Sequence, residues 1–182
     1  VAVATGDDGQ VLTSAGAGQP CAFEDASGGG ITAASQWRLT TSFAGDADPI
    51  ASNWEEIDTP TSFGVLGSSM TESSGIFTFP STGYWYILGQ IRYYMSAADG
   101  WAYGGISTTH DDSTWAGATQ NASYAKSGNY ATCFFTYIFD VTSTSTHKCQ
   151  MYSYQYTNNS NQTYAHSDVL RTGLTFIRLA DT

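Results

Sequence analysis

The side chains best suited to grip a ligand lie between Trp101 and Asn121. Trp101, Tyr103 and Trp115 offer flat faces that stack on sugar rings, and His110, Asp111, Asp112 and Asn121 offer directional hydrogen bonds to hydroxyl groups. The opposing reading of the aromatics is that they fill a core or an interface. His110-Asp111-Asp112 also sets an imidazole beside two carboxylates, a donor set that a divalent cation accepts. The triplet reads instead as a solvated acidic loop, so no metal and no cofactor are expected.

Nothing else in the chain is arranged for catalysis. No serine stands in a Gly-x-Ser-x-Gly elbow. Glu55-Glu56 and Asp46/Asp48 are carboxylate pairs of the kind a glycosidase uses, but adjacent residues on an extended segment point in opposite directions. They read as acidic loops. No glycine-rich loop follows a strand and opens a helix, so a phosphate cradle is excluded. His147 and His166 read as surface residues. No catalytic residue is assigned, and the chain is not expected to be an enzyme.

Composition narrows the partners. Sixteen Asp and Glu face six Lys and Arg, a formal charge of -10. That balance excludes binding to a nucleic-acid backbone, which needs clustered cations. Only 12% of residues are charged while 14% are aromatic, which suits an extracellular or particle-borne β-domain. No run is long and apolar enough for membrane insertion, and VAVATGDDGQ has no basic residue before an apolar run, as a signal peptide would. The first residue is not Met, so a processed or truncated product is expected. Cys21, Cys133 and Cys149 are odd in number and match no zinc spacing. They read as reduced packing residues.

The elements that position these residues are strands. Gly75 to Met95 is the organising stretch: Ile76 to Phe79, a Pro-Ser-Thr-Gly turn, and a long aromatic strand from Tyr84 to Met95. One alternating set of that strand is Trp85, Ile87, Gly89, Ile91, Tyr93 and Met95; the other is Tyr84, Tyr86, Leu88, Gln90, Arg92 and Tyr94. Neither set is cleanly polar. One face fills the core and the other asks for a second cover, a neighbouring sheet or another subunit. Tyr84, Tyr86, Leu88 and Tyr94, reinforced by Tyr152, Tyr154 and Tyr156, are the expected subunit interface.

Further strands are expected at Gln36 to Phe43, Ser62 to Leu66, Trp101 to Ser107, Ala131 to Val141, His147 to Thr157 and Val169 to Leu179. Gly45 to Thr61 and Asn158 to His166 read as connections, and Thr108 to Asn129 as a polar insertion. No segment shows helical spacing of apolar residues. The fold class is therefore all-β, a sandwich or barrel of short antiparallel strands. Residues 1–34, rich in Gly, Ala, Ser and Asp, read as an extended arm, and residues 35–182 as one head domain.

Two resemblances follow from particular residues. GDDGQVLTSAGAGQP, Gly6 to Pro20, resembles a segment that recurs in bacteriophage tail-fibre proteins, commonly just before a terminal domain. From about Ser35 to Leu179 the chain resembles the jelly roll shared by the globular head of complement C-one-q and by tumour necrosis factor. The matching landmarks are Trp37 to Phe43, the run Gly75-Ile-Phe-Thr-Phe-Pro-Ser-Thr-Gly83-Tyr-Trp-Tyr, and a closing strand with Gly173, Leu174, Phe176 and Leu179. The resemblance implies a jelly roll of about eight to ten strands and a tight homotrimer about an aromatic axis. Thr108 to Asn129 matches no feature of that family, so no binding residue carries over from it. Together these readings give an expected function: a virion structural protein of a phage, assembled in the host cytoplasm, whose trimeric fibre head adheres to a host-surface glycan. The arm would join other virion proteins. The alternatives are a structural trimer without a ligand and a secreted carbohydrate-active domain.

Overall fold

The computed structural model describes residues 5–14, 16–25, 30–60, 64–96, 98–156 and 160–182. Among them are fourteen strands: β1 (Gln10–Thr13), β2 (Ala22–Asp25), β3 (Ala34–Leu39), β4 (Phe43–Ala44), β5 (Trp54–Glu56), β6 (Thr71–Ser73), β7 (Ile76–Thr78), β8 (Gly83–Tyr94), β9 (Gly100–Thr109), β10 (Ala116–Ala125), β11 (Tyr130–Val141), β12 (Lys148–Tyr154), β13 (Gln162–Tyr164) and β14 (Gly173–Ala180). The chain divides into two units, residues 1–30 and 31–182.

The first unit is not simply extended. β1 and β2 pair antiparallel from Gln10–Asp25 to Thr13–Ala22, and Gly16 and Gly18 between them take φ of 105° and 82°, conformations open to glycine. Val11 and Leu12 stay exposed.

In the second unit β8 is the hub. β11 pairs with it along its whole length. On its other side β14 covers Tyr84 to Gln90 and β13 covers Arg92 to Tyr94. β3 and then β5 continue beyond β14, and β4 lies beyond β13. The second sheet runs β10-β9-β12-β7-β6, and all pairs in both sheets are antiparallel. The expected all-β jelly roll is the fold observed. It has more strands than expected because β4, β5, β6 and β13 are two or three residues long, too short to show alternation. The expected strand at Ser62 to Leu66 lies partly outside the described residues, and Leu66 makes a single bridge to Ala34. Thr157 and the start of the Asn158 to His166 connection also lie outside them.

The core fills the space between the sheets. Phe77 stands edge-on to Trp37 and Trp54 at centroid distances of 5.5 and 5.1 Å and packs on Phe176 at 5.3 Å. Phe79 meets Trp85 at 5.4 Å and Phe139 at 5.7 Å. The odd-numbered set of β8 supplies Trp85, Ile87, Ile91 and Tyr93, all buried. Gly89 interrupts that row because Phe135, its partner across the ladder, lays its ring there; a Cβ on Gly89 would stand 2.0 Å from it. Cys133 and Cys149 are buried, unpaired and on opposite sheets. Burial pushes the Cys133 thiol up to about 11 and that of Cys149 higher still. Cys21 is exposed and unpaired.

Candidate functional site

The outward face of the second sheet carries an aromatic row. Along β9, Trp101, Tyr103 and Gly105 point outward while Ala102, Gly104 and Ile106 point inward. The register sets Tyr103 opposite Tyr154 and Gly105 opposite Tyr152 on β12. Tyr103 and Tyr154 stack at 5.1 Å with 17° between their planes, and Tyr152 follows at 5.7 Å. Trp101 meets Tyr103 at 5.9 Å and Tyr156 at 4.1 Å. Gly105 makes room for the row: a Cβ there would come within 2.7 Å of the Tyr152 hydroxyl and 2.0 Å of the Thr119 carbonyl oxygen.

Beside the row opens a cleft of about 440 Å³ lined by Trp101, Tyr103, Gln120, Asn121, Ala122 and Tyr156. Gln120 Oε1 accepts a hydrogen bond from the Tyr152 hydroxyl at 3.3 Å. Asp48 anchors the far end of the row, accepting from the Tyr154 hydroxyl at 2.9 Å and from Gln150 Nε2 at 3.0 Å. That hydrogen bond, aided by burial, holds the Tyr154 phenol up at about 12; burial and the Asp48 charge raise Tyr152 too. Tyr152 and Tyr154 are thereby held more firmly in the neutral form. Flat apolar faces beside amide and phenol groups match the two-sided character of a sugar ring.

The structure divides the residues expected to bind a receptor. Trp101 and Tyr103 line the cleft. Asn121 borders it, but its side chain is tied elsewhere: Nδ2 donates to the Phe134 carbonyl at 3.0 Å and Oδ1 accepts from the Ala122 N–H at 2.9 Å. His110, Asp111 and Asp112 stand at the opposite end of the β9–β10 hairpin, where His110 and Asp111 border a separate hollow of about 410 Å³ with Thr108, Thr114 and Tyr137. Trp115 is half-buried just ahead of β10 and lines neither. The expected polar insertion is thus a regular hairpin with a bulge between Gly117 and Thr119. β10 hides from sequence reading because AGATQNASYA is an edge strand of small and polar residues. Gln120 and Ala122, its contribution to the cleft, are missed for the same reason. Tyr156 is seen but assigned to another surface; its spacing of two from Tyr154 is the signal that places it in the row.

Asp111 serves its own turn. Its carboxylate accepts from the backbone N–H of Ser113 at 2.9 Å and of Thr114 at 2.6 Å, and from the hydroxyls of Thr114 and Thr109 at 2.7 and 3.0 Å. These bonds, chiefly those from Thr114, hold its carboxyl well below the usual range. The stabilisation is present above the ordinary aspartate range and is lost as pH falls toward the folded-state value. The melting temperature of Asp111→Asn should therefore lie below that of the native chain at neutral pH, with the gap closing below about pH 4. A gap that is flat with pH would show that the turn does not depend on the charge. Asp112 pairs with Lys148 at 2.6 Å. His110 packs edge-on against His147 at 4.8 Å and against Phe139 at 5.2 Å; burial and the neighbouring imidazole lower the pKa of His147. No cluster of three metal-ligating side chains occurs among the described residues.

The carboxylate pairs are structural as well. Arg38, with 1% exposure, is gripped by Glu55 Oε2 at Nε (2.9 Å), by Asp58 Oδ1 at Nη2 (2.6 Å) and by Thr59 at Nη1. Glu56 accepts from the Ser69 hydroxyl, and Asp46 from the Gln155 N–H at 2.6 Å.

The expected subunit interface also divides. Tyr84, Tyr86, Leu88 and Tyr94 lie on the outward face of the first sheet. Tyr152, Tyr154 and Tyr156 belong to the other sheet, because β12 pairs with β9 and β7 and not with β8. The register beside Tyr86 and Leu88 brings instead Phe134 and Ile138 of β11 and Ile177 of β14. Phe134 and Ile138 are 55% and 56% exposed and Tyr84 41%. This is an exposed apolar sheet face.

No protein-family model matches the chain, and no curated protein does. Solved structures do. Eiger, a tumour necrosis factor of S. frugiperda, superposes with a TM-score of 0.61 at 14% identity, over 84% of this chain and 95% of that one. Murine APRIL at pH 5.0 gives 0.56 at 11% identity, over 81% and 98%, and at pH 8.5 it gives 0.54 at 11%, over 81% and 98%. At that identity the likeness speaks to architecture alone: the head has a tumour-necrosis-factor-like jelly-roll fold.

Proposed function

We propose that this chain is the head of a phage tail fibre or similar virion appendage, a homotrimer that binds a host-surface glycan without transforming it. The observation that carries the binding reading is the cleft between Trp101, Tyr103 and Tyr156, with Gln120 at its border. Trp101 is 38% and Tyr156 67% exposed, so the wall a sugar would stack on already faces solvent. Trimeric assembly is supported by the apolar outward face of β8 and β11 and by the fold. The virion setting rests on the tail-fibre resemblance of Gly6 to Pro20, and with it assembly in the host cytoplasm. The carboxylates once open to a hydrolytic reading are engaged with Arg38, Ser69, Gln155, Tyr154 and Gln150, which favours adhesion over catalysis.

The test is Trp101→Ala. Loss of one stacking face costs roughly 1–3 kcal/mol by analogy with base stacking, or about tenfold or more in affinity per site. Several sites engaged at once multiply the loss for a particle. Glycan-array binding and host adsorption should both fall while the melting temperature holds. An intact binding profile in this variant would move recognition away from the cleft, and a native chain that binds no glycan would leave the structural trimer standing.

A further inference from the structure

The chain has six Lys and Arg. Arg38 is paired with Glu55 and Asp58, Lys148 with Asp112 and Arg178 with Asp181. Arg92, Arg171 and the exposed Lys126 have no carboxylate at ion-pair distance among the described residues. The two arginines meet at one end of the outward face of the first sheet. Arg92 Cζ lies 4.4 Å from the ring centre of Tyr130 and 6.0 Å from that of Tyr164, and Arg171 Cζ lies 4.7 Å from Tyr164. Tyr130 packs against Tyr164 at 4.9 Å and Tyr94 against Tyr130 at 4.8 Å.

The arrangement is held in place. Gln90 Nε2 donates to the carbonyls of Leu170 and Arg171 at 2.9 and 3.1 Å, fixing the backbone that presents Arg171. The neighbouring Tyr130 and Arg171 side chains lower the pKa of the Tyr164 phenol. Arg92 differs: its Nε is buried and has no hydrogen-bond partner. A guanidinium carries five donors in a planar fork and no acceptor, and stacking on a ring leaves those donors unsatisfied. Buried donors are rarely left so, and the planar fork fits a two-oxygen anion.

We infer that Arg92 and Arg171 form a binding site for a single oxyanion, a carboxylate or sulfate group, with Tyr94 and Tyr130 offering ring faces to whatever carries it. A polyanion such as a nucleic acid is disfavoured by the net charge of -10; one carboxylate or sulfate is not. The site lies on the sheet opposite to the Trp101 cleft and is independent of it. It occupies the Tyr94–Tyr130 end of the apolar face, so it is open to a ligand only if subunit contact is made at the Tyr86–Ile138 end.

The chain has four arginines, so its arginine Nε–H resonances form a short spectrum. In the full chain labelled with ¹⁵N-arginine, glucuronate, inorganic sulfate and glucose are titrated in turn. Glucuronate and sulfate should shift Arg92 and Arg171 saturably in the millimolar range, leave Arg38 and Arg178 in place, and glucose should shift none. Tighter binding of glucuronate than of sulfate assigns the anion to an acidic sugar, and equal binding assigns it to a free oxyanion. By calorimetry Arg92→Gln with Arg171→Gln should weaken binding at least tenfold, and Arg92→Lys, which keeps the charge but loses the fork, should fall between. The inference is overturned by equal movement of all four signals or by none. It is also overturned if Arg92 responds only after the assembly is dissociated, which would place a second copy's carboxylate there.

Discussion

Ile138→Asp is expected to leave the head folded and to abolish its self-association. Ile138 sits on β11 opposite Tyr86 and is 56% exposed in the single chain, so a carboxylate there stays hydrated in the monomer. The same carboxylate closed into a subunit interface loses its water without gaining a partner, because its neighbours across the face are Tyr86, Leu88 and Ile177. Burying an unpaired charge costs several kcal/mol, and a symmetric trimer incurs that cost three times. Light scattering of the native chain should give three times 19.5 kDa, and the variant should give the monomer with an unchanged circular dichroism spectrum. A native chain that is monomeric at micromolar concentration, or a variant that keeps the trimer mass, would show that this face packs against something else.

Phe77→Ala is expected to destabilise the head more than any change at its surface. Phe77 is fully buried, with Trp37 and Trp54 edge-on to it and Phe176 against its face. Deleting a buried phenyl ring costs about 3–5 kcal/mol, the lost transfer energy plus the cavity left behind. Edge-to-face pairs add to this. Against a total of about 5–15 kcal/mol, the variant stands near the limit of folding. Chemical denaturation should show a midpoint far below that of the native chain with the slope retained. A shift worth less than about 1 kcal/mol would mean that Trp37 and Trp54 close over the gap.

Sequence reading reached what repeats at short range. β8 was legible because Trp85, Ile87, Ile91 and Tyr93 alternate without a break except at Gly89, and the turn before it is spelled Pro80-Ser-Thr-Gly83. Trp101 and Tyr103 were legible for the same reason. Pairings across the sandwich were not. Nothing local announces that Arg38 closes on Glu55 and Asp58, or that Arg92 and Arg171 meet over Tyr164. Tyr152, Tyr154 and Tyr156 alternate as clearly as the even-numbered residues of β8, but alternation says only that a face is shared, not which sheet the strand joins. β10 failed the other way, since an edge strand made mostly of small and polar residues has no apolar set to alternate. Asp111 was ambiguous because a side chain that satisfies its own turn looks, in sequence, like one held ready for a ligand.

The cleft opens from one sheet and the apolar face belongs to the other. Copies joined through the apolar face would turn their clefts outward and away from each other, like grips around a shaft. One short sugar chain could not then fill two clefts of the same head. Simultaneous engagement would call for separate chains standing close together on the cell, so attachment should rise steeply with how densely the receptor is displayed. If the head is the proposed virion adhesin, sparse receptors would hold the particle by one grip at a time and let it wander over the surface, and a crowded coat would fix it in place.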